Sequence, residues 1–498
     1  MMTQTKEQNS YGHILKFTGV FGGVQGLSLL VSLVRNKFVA VLLGPEGMGI
    51  VGLYNASTNL LTDATGLGIS TSAVRNISIA HETGNIHCLR HGVAVVRAWS
   101  VMAAVLGMIL CVALSGFLSR FAFSSSDHTV DFMLLAPVVG LATLVSGELA
   151  VLKGMHRLGA LAYITVLTVL GALLTTVPIY WVWGIRGIVS ALLAVSVLQT
   201  VLTLSFSVRA CPWHVAGNFS ILRRLLTEGG PMVRLGMAFV LAALCGSGAD
   251  YLIRVFLNMQ GSTTDVGLFN AGYMMTMTYG GMVFSAMETD YYPRLSGCCE
   301  DEYRMNETVN RQMEVSLLLL SPMLVCFSVL LPFLLPLLFS DKFTPILGMV
   351  QLVVVALYFR AVKLPISYLA LAKGDSRSFL LLEGVYAVVI VLLVAVGFQL
   401  WGLNGTGVAI LVVATLDFLM LTFYTRWRYH FHIYPNVMRY LGVELTIAIL
   451  TYGVTWLKGW THWLAGAVLF LGSIFITLHA LRNKTDLENL LRKRIGRK

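Results

Sequence analysis

Long apolar runs, each separated from the next by a short polar stretch, dominate the 498-residue chain. Fourteen of these runs reach about 20 residues, the length that an α-helix needs to cross about 30 Å of hydrocarbon. The first run begins near residue 17 and the last ends near residue 481. The pattern therefore predicts an all-α polytopic membrane protein with 14 transmembrane helices.

The composition excludes a water-soluble enzyme. Apolar residues make up 56% of the chain and charged residues 12%, against about 25% charged residues in soluble domains. The mean hydropathy is +0.77 over the whole chain. The sequence contains no GxxxxGK[ST] phosphate loop, no HExxH zinc motif and no GxSxG elbow. We therefore expect a transporter and not an enzyme, with no catalytic residues and no metal site.

Positive charge is distributed unevenly between the two sides of the predicted membrane. The net charge is +11. With the amino terminus placed in the cytoplasm, the outer segments contain only Arg120, Arg186, Lys342 and Lys458. The positive-inside rule then places both termini in the cytoplasm. The basic clusters fit this topology, so we expect no nucleic-acid partner.

An internal repeat divides the chain. Residues 51–56 match residues 266–271, and Arg35 and Arg254 occupy equivalent positions. Lys153-Gly154 pairs with Lys373-Gly374, and Trp183-Gly184 pairs with Trp401-Gly402. Each repeat holds six spans, an even number, so the sequence predicts two parallel six-helix lobes related by a pseudo-two-fold axis along the membrane normal. The predicted segments are an N-terminal lobe at 1–208, a linker at 209–230, a C-terminal lobe at 231–430, two further helices at 431–481 and a basic tail at 482–498.

Five cations fall inside predicted spans, where a charge costs a few kcal/mol and marks a functional candidate. Because guanidinium groups bind phosphate oxygens bidentately, buried cations favour a ligand such as a pyrophosphate head group. Arg360 and Lys363 are three residues apart and share a helix face. Arg35 and Arg254 are predicted to face each other across a cleft between the lobes. The candidate binding residues are Arg35, Lys37, Arg254, Arg360 and Lys363.

The alternative is that these cations neutralise buried acids. Asp250 lies four residues before Arg254, and the other acids that could serve are Asp63, Glu148, Asp290, Glu383, Asp417 and Glu444. Asp63 and Asp250 are also candidates for binding a coupling ion, H⁺ or Na⁺. No other cofactor is expected.

Residues of the first two spans resemble a known family. Arg35 to Gly49 contain the turn Leu43-Gly44-Pro45-Glu46-Gly47, and Gly52-Leu-Tyr-Asn and Gly66-Leu-Gly68 follow. This pattern resembles Wzx-type O-antigen flippases, in the polysaccharide transporter branch of the multidrug/oligosaccharidyl-lipid/polysaccharide (MOP) exporter superfamily. The resemblance implies alternating-access translocation of an undecaprenyl-diphosphate-linked oligosaccharide across the bacterial inner membrane. It also implies a cationic cavity, which carries over to Arg35, Arg254, Arg360 and Lys363.

Other functions remain open at this level. A peptidoglycan lipid-linked precursor flippase and a cation-coupled drug exporter belong to the same superfamily. A lipid-linked glycan polymerase is a further alternative, which the short outer segments disfavour. The expected partners are the lipid-linked oligosaccharide, membrane lipids, and the glycan polymerase and chain-length machinery.

Overall fold

The computed structural model describes residues 2–212, 225–278, 294–457 and 459–484, together with residues 281, 284, 291 and 292. Within these residues all regular secondary structure is helical, which confirms the predicted all-α fold. Helices suit a bilayer because each one satisfies its own backbone polar groups. Among the described residues, ten helices are long and apolar enough to cross a membrane. The predicted eighth span, the linker and the basic tail lie partly outside the described residues.

The helices follow one another with short connections. Their bounds, in chain order, are α1 Met2–Thr65, α2 Ile69–Glu82, α3 Ile86–Phe123, α4 Thr129–Gly154, α5 Leu158–Trp183, α6 Ile188–Ala210, α7 Gly230–Gln260, α8 Thr263–Tyr273, α9 Glu302–Leu338, α10 Leu347–Ala372, α11 Ser376–Tyr429, α12 Pro435–Val454 and α13 Trp460–Lys484.

Two of the longest helices are broken inside, so each contains two predicted spans. Gly44 interrupts α1 with φ 67° and ψ −174°, and Pro45 starts the second half. This break lies where the Gly-Pro turn was predicted. Trp401 and Gly402 interrupt α11. A positive φ with extended ψ is open almost only to glycine, so the glycines at these breaks fix where one span ends and the next begins.

The backbone supports the internal repeat. Gly184 has φ 53° and ψ −133°, and Gly402, 218 residues later, has φ 59° and ψ −141°. The turns after α4 and α10 also match, because the Arg157 N–H donates to the Leu152 carbonyl and the Asp375 N–H donates to the Ala370 carbonyl. Arg157 and Asp375 are again 218 residues apart.

One sequence match of the repeat is out of register. Lys153-Gly154 and Lys373-Gly374 are 220 residues apart, two more than the turns that contain them. The left-handed position of these turns is held by His156 in the first repeat and by Gly374 in the second. Backbone conformation, and not residue identity, therefore gives the correct pairing.

The chain forms two compact units. The first unit is Met1–Gly267 with Leu338–Ser340, and the second is Leu268–Leu337 with Asp341–Lys498. Helix α7 belongs to the first unit by its packing, whereas the repeat assigns it to the C-terminal lobe. The predicted lobe boundaries stay a prediction.

In the first unit, α1 and α2 pack against α7. Gly68 has φ 64° and lies so close to Gly236 that a Cβ on Gly236 would stand 2.6 Å from the Leu67 carbonyl oxygen. A Cβ on Gly49 would likewise overlap the Thr263 carbonyl. Two glycines of the family-like pattern, Gly49 and Gly68, therefore allow close backbone contact with residues 236–263.

In the second unit, α10 packs on α11 and α12 packs on α13. Two asparagines of α9 hold the connection between α11 and α12. The Asn310 amide donates to the His432 carbonyl at 2.9 Å and accepts from the Tyr434 N–H at 2.7 Å. Asn306 accepts from the His432 N–H at 2.8 Å. These bonds satisfy backbone groups that have left a helix and fix where α12 begins.

Candidate functional site

Arg35 and Lys37 lie on the first half of α1 and are half-buried. The Arg35 guanidinium donates to the side-chain oxygen of Asn36 at 3.4 Å. It also interacts electrostatically with the hydroxyl of Tyr180 on α5. Neutral polar groups therefore contribute to the surroundings of Arg35.

Arg254 is paired with an acid on its own helix. Its guanidinium forms an ion pair with the Asp250 carboxylate and donates to the Asp250 carbonyl at 2.9 Å. The Arg254 side chain is 11% exposed and that of Asp250 is 36% exposed. This is the ion pair that the four-residue spacing predicted. The predicted placement of Arg254 opposite Arg35 stays a prediction.

Asp63 differs from Asp250 in its partners. Its carboxyl accepts a hydrogen bond from the Ser247 hydroxyl of α7 and is half-buried. Within the part of the chain that the structure describes, no cation pairs with Asp63. The ion-pair role that the sequence allowed for Asp63 is therefore absent from these residues, and its ion-coupling role stays a prediction.

Lys363 on α10 pairs with Asp417 on α11. The Lys363 ammonium lies 2.6 Å from the Asp417 carboxylate, with the side chains 19% and 7% exposed. The ammonium also stands 4.7 Å from the centre of the Tyr386 ring, a cation–π geometry. Lys363 is thus held by an acid and an aromatic face, while part of its side chain remains accessible.

Arg360 lies one turn before Lys363 and is held by neutral groups. Its guanidinium donates to the Met277 sulfur at 2.7 Å and lies 5.6 Å from the centre of the Phe284 ring. Among the residues that the structure describes, no carboxylate forms an ion pair with Arg360. The Arg360 charge is therefore not neutralised by any of these residues.

Tyr386 on α11 joins the two cations of α10. Its hydroxyl interacts electrostatically with Arg360 and Asp417, and its ring faces Lys363. The shared face that was predicted for Arg360 and Lys363 is therefore the face that meets α11. Sequence reasoning missed Tyr386, Met277 and Phe284, because aromatic and sulfur side chains in an apolar run give no signal of contact with a charge.

Three other acids complete the inventory of candidate neutralisers. Glu148 forms a bidentate pair with Arg97 on α3, with an Nε to Oε1 distance of 2.8 Å and both side chains 2% exposed. Arg97 was assigned to a cytoplasmic segment from the sequence, and the structure instead buries it. Glu444 is fully buried among hydroxyl groups. Asp290 lies outside the described residues.

The second unit therefore carries the strongest concentration of positive charge on one helix face. Arg360, Lys363, Asp417 and Tyr386 together hold two cations and one acid, and the two aromatic contacts limit solvation of the cations. Such a cluster can bind a compact anion by charge-assisted hydrogen bonds. The binding role of each predicted residue stays a prediction.

Comparison with known proteins gives a family and a fold. The model of the family described as polysaccharide biosynthesis protein matches residues 38–348, more than half of the chain. No curated protein matches the chain in sequence.

Solved structures of MOP-type transporters are similar to the chain. The lipid II flippase MurJ in an inward closed conformation has a TM-score of 0.69 at 12% identity, covering 93% of this chain and 99% of that chain. An inward-facing multidrug resistance MATE family transporter of the MOP superfamily has a TM-score of 0.68 at 15% identity, covering 83% and 98%. A MOP superfamily transporter from Pyrococcus furiosus has a TM-score of 0.59 at 15% identity, covering 83% and 96%. These likenesses confirm the predicted fold.

Proposed function

The chain belongs to the polysaccharide biosynthesis protein family, and from this premise we propose that it is a flippase and not an enzyme. Its proposed substrate is an undecaprenyl-diphosphate-linked oligosaccharide, an O-antigen or related surface-glycan repeat unit. The protein moves this lipid across a bacterial inner membrane by alternating access, with both termini in the cytoplasm. Family membership supports a polysaccharide precursor as the cargo, and the fold supports transport.

The observation that carries the proposal is the state of Arg360. Its guanidinium lies within a membrane-spanning helix and contacts the Met277 sulfur and the Phe284 ring. A buried cation that lacks an anion is unfavourable. A diphosphate supplies the missing negative charge, and its oxygens match the planar donors of a guanidinium.

Lys363 provides a second contact for the head group. Its ammonium is already held by Asp417 at 2.6 Å, so a diphosphate must compete with this carboxylate. Competition makes the interaction reversible, which a transporter needs because the substrate must also leave. Arg35, Arg254 and Lys37 are proposed as further contacts with the diphosphate, with Asp250 as the competing acid for Arg254.

The remaining parts of the substrate need different surroundings. The sugars cross through an aqueous cleft, and the lipid tail stays in the bilayer. Asp63 and Asp250 are proposed to take up a coupling ion, H⁺ or Na⁺. The glycan polymerase and chain-length machinery are the proposed partners that receive the product.

Transbilayer movement of the substrate tests the proposal. The protein is reconstituted in liposomes that contain a fluorescent polyprenyl-diphosphate oligosaccharide, and the fraction of lipid that reaches the outer leaflet is followed with time. A hydrogen bond to a charged group contributes about 1.5–3 kcal/mol, so Arg360→Ala is expected to lower the rate about 10-fold to 100-fold. Arg35→Ala and Arg254→Ala are expected to lower it as well.

Arg304→Ala is the matched control, because the Arg304 side chain is 75% exposed and lies outside the predicted site. It removes the same charge and should transport like the unaltered protein. Equal rates for Arg360→Ala and Arg304→Ala would contradict a cationic head-group site.

A second substrate is favoured by one observation. The lipid II flippase matches a larger share of the chain than the drug transporters do, so a peptidoglycan lipid-linked precursor is the alternative cargo. The same liposomes loaded with that precursor separate the two substrates. A cation-coupled drug exporter would instead move a cationic dye, and its rate would not depend on Arg360.

A further inference from the structure

Glu444 is a fully buried acid on one of the two helices that lie outside the repeat. It stands near the middle of α12 and its exposed fraction is 0%. Its Oε2 atom is in hydrogen-bond contact with the Ser321 hydroxyl of α9 and lies 3.4 Å from the Ser473 hydroxyl of α13. The two hydroxyl oxygens are 3.1 Å apart. One carboxyl group therefore joins three helices.

The other oxygen of this carboxyl has no partner among the described residues. The Oε1 atom is buried and makes no hydrogen bond to them. Next to the group, the Tyr358 hydroxyl donates to the Ser321 carbonyl at 3.3 Å. Further along the same helices lies an apolar cluster of Val325, Val329 and Ile447. The surroundings of Glu444 are thus either apolar or uncharged.

No cation faces Glu444 from any of the described helices α9, α10, α12 and α13 that pack around it. The titratable group closest to it in electrostatic effect is Tyr358. The other two deeply buried acids are treated differently, since Glu148 is paired with Arg97 and Asp417 with Lys363. A carboxylate without a cation in an apolar interior takes up a proton and becomes neutral.

We propose that Glu444 is a proton-binding site that links the docking of α12 and α13 to protonation. The neutral carboxyl holds α12 to Ser321 and Ser473 while the helices are packed, and the proton is released when the carboxyl reaches water. The contact among the three oxygens leaves no central space for a metal ion, which favours H⁺ as the ligand. This proposal does not depend on the proposed substrate.

The sign of the pH dependence follows from linkage. The docked state binds one more proton at Glu444 than the undocked state, because a glutamate in water is ionised at neutral pH. Docking is therefore favoured as the pH falls and weakened as it rises, by up to about tenfold in the docking constant per pH unit.

Hydrogen exchange of the full-length protein measures this docking. Peptides from residues 435–480 are followed by mass spectrometry from about pH 6 to about pH 9, with rates corrected for the intrinsic pH dependence of exchange and α3 as the internal reference. In the unaltered protein, protection of residues 435–480 should fall as the pH rises. In Glu444→Gln, which is uncharged at every pH, protection should stay constant.

Glu302→Gln is the matched control, since Glu302 is exposed at the start of α9. It should keep the pH dependence of the unaltered protein. The same pH dependence in Glu444→Gln as in the unaltered protein would overturn the proposal, as would constant protection in both.

Infrared spectroscopy tests the protonation state directly. The absorption of a neutral carboxyl group should be present at neutral pH, should be lost in Glu444→Gln and should remain in Glu302→Gln. Loss of this band on adding sodium at constant pH would assign the site to a metal cation and overturn the proposal. An unchanged band in Glu444→Gln would overturn it as well.

Discussion

Each of the two units buries an ion pair between helices, but the two pairs differ in how completely their charges are satisfied. In the first unit, Arg97 binds both oxygens of Glu148, and its remaining donors reach the Ser207 hydroxyl at 3.3 Å and the Pro212 carbonyl at 3.2 Å. In the second unit, the Lys363 ammonium contacts one carboxylate oxygen and one aromatic ring.

Exposure separates the two pairs in the same direction. The Arg97 and Glu148 side chains are each 2% exposed, whereas Lys363 is 19% exposed. A saturated pair closed off from solvent can hold helices together but cannot exchange its partner for a ligand. A pair with a single carboxylate contact and some access can do so. We infer that the first pair is structural and that the second belongs to the transport site.

The largest expected effect comes from breaking the closed pair. Glu148→Ala leaves the Arg97 guanidinium buried without a carboxylate, and removal of one partner of a buried pair destabilises a protein by about 3–5 kcal/mol. The free energy of unfolding in detergent, measured by denaturant titration, should fall by that amount.

A double variant provides the control for this prediction. Arg97→Met combined with Glu148→Leu removes both charges and fills the space with apolar groups, so most of the lost stability should return. Similar stabilities for Glu148→Ala and the double variant would show that the loss arises from packing and not from an unpaired charge.

The two units should respond alike where they share the same turn. Gly184→Ala and Gly402→Ala place a Cβ into backbone conformations of positive φ, although neither Cβ would contact a neighbour. Each change is expected to reduce the free energy of unfolding by about 1–3 kcal/mol. Gly116→Ala, in the interior of α3 with open space around it, should be neutral or stabilising by up to about 1 kcal/mol. Unequal losses at Gly184 and Gly402 would mean that the two turns are not equivalent.

The parts of the fold that depend on local sequence could be predicted. Run length and hydropathy gave the helical spans, and Gly44-Pro45 marked the break in α1 because few residues other than glycine adopt its backbone angles. The three-residue spacing of Arg360 and Lys363 placed them on one face. The four-residue spacing of Asp250 and Arg254 indicated their ion pair.

The partners of each charge could not be predicted, because they come from helices far apart in the chain. Asp417 was one of several acids available to Lys363, and Tyr386 carried no signal at all. Arg97 looked like a cytoplasmic charge since hydropathy counts a charge without its partner, and Glu148 lies 51 residues away. Long-range pairing, and not local pattern, decides which buried charges are structural.

A smaller difference between the units lies in the turns after α4 and α10, which share their hydrogen bonds. Asp375 caps α11 by accepting from the Ser378 N–H at 3.1 Å, whereas Arg157, at the equivalent position before α5, makes no side-chain cap. Asp375→Ala is expected to reduce the free energy of unfolding by about 1 kcal/mol. Arg157→Ala is the matched control and should have no effect, so equal losses would remove the cap as the cause.

The stabilisation by Asp375 should also depend on pH. Hydrogen bonds from the Ser378 hydroxyl and N–H hold the pKa of Asp375 below its ordinary value. A lowered pKa in the folded state contributes stability that is present above the ordinary value of about 3.9 and is lost as the pH falls through the folded value. The difference in stability between the unaltered protein and Asp375→Ala should therefore narrow in acid.

The smallest effect on stability is expected where the open pair is altered. Asp417→Asn removes the acid beside Lys363, but the ammonium keeps the Tyr386 ring and some solvent access, so the loss should stay near about 1 kcal/mol, as for exposed pairs. Removing the competing acid should also tighten binding of undecaprenyl diphosphate about fivefold, which corresponds to about 1 kcal/mol, while Lys363→Met should weaken it. Titration of the detergent-solubilised protein with the lipid measures both. Weaker binding by Asp417→Asn would mean that Asp417 positions Lys363 for the ligand, and the contrast between a closed and an open pair would then rest on exposure alone.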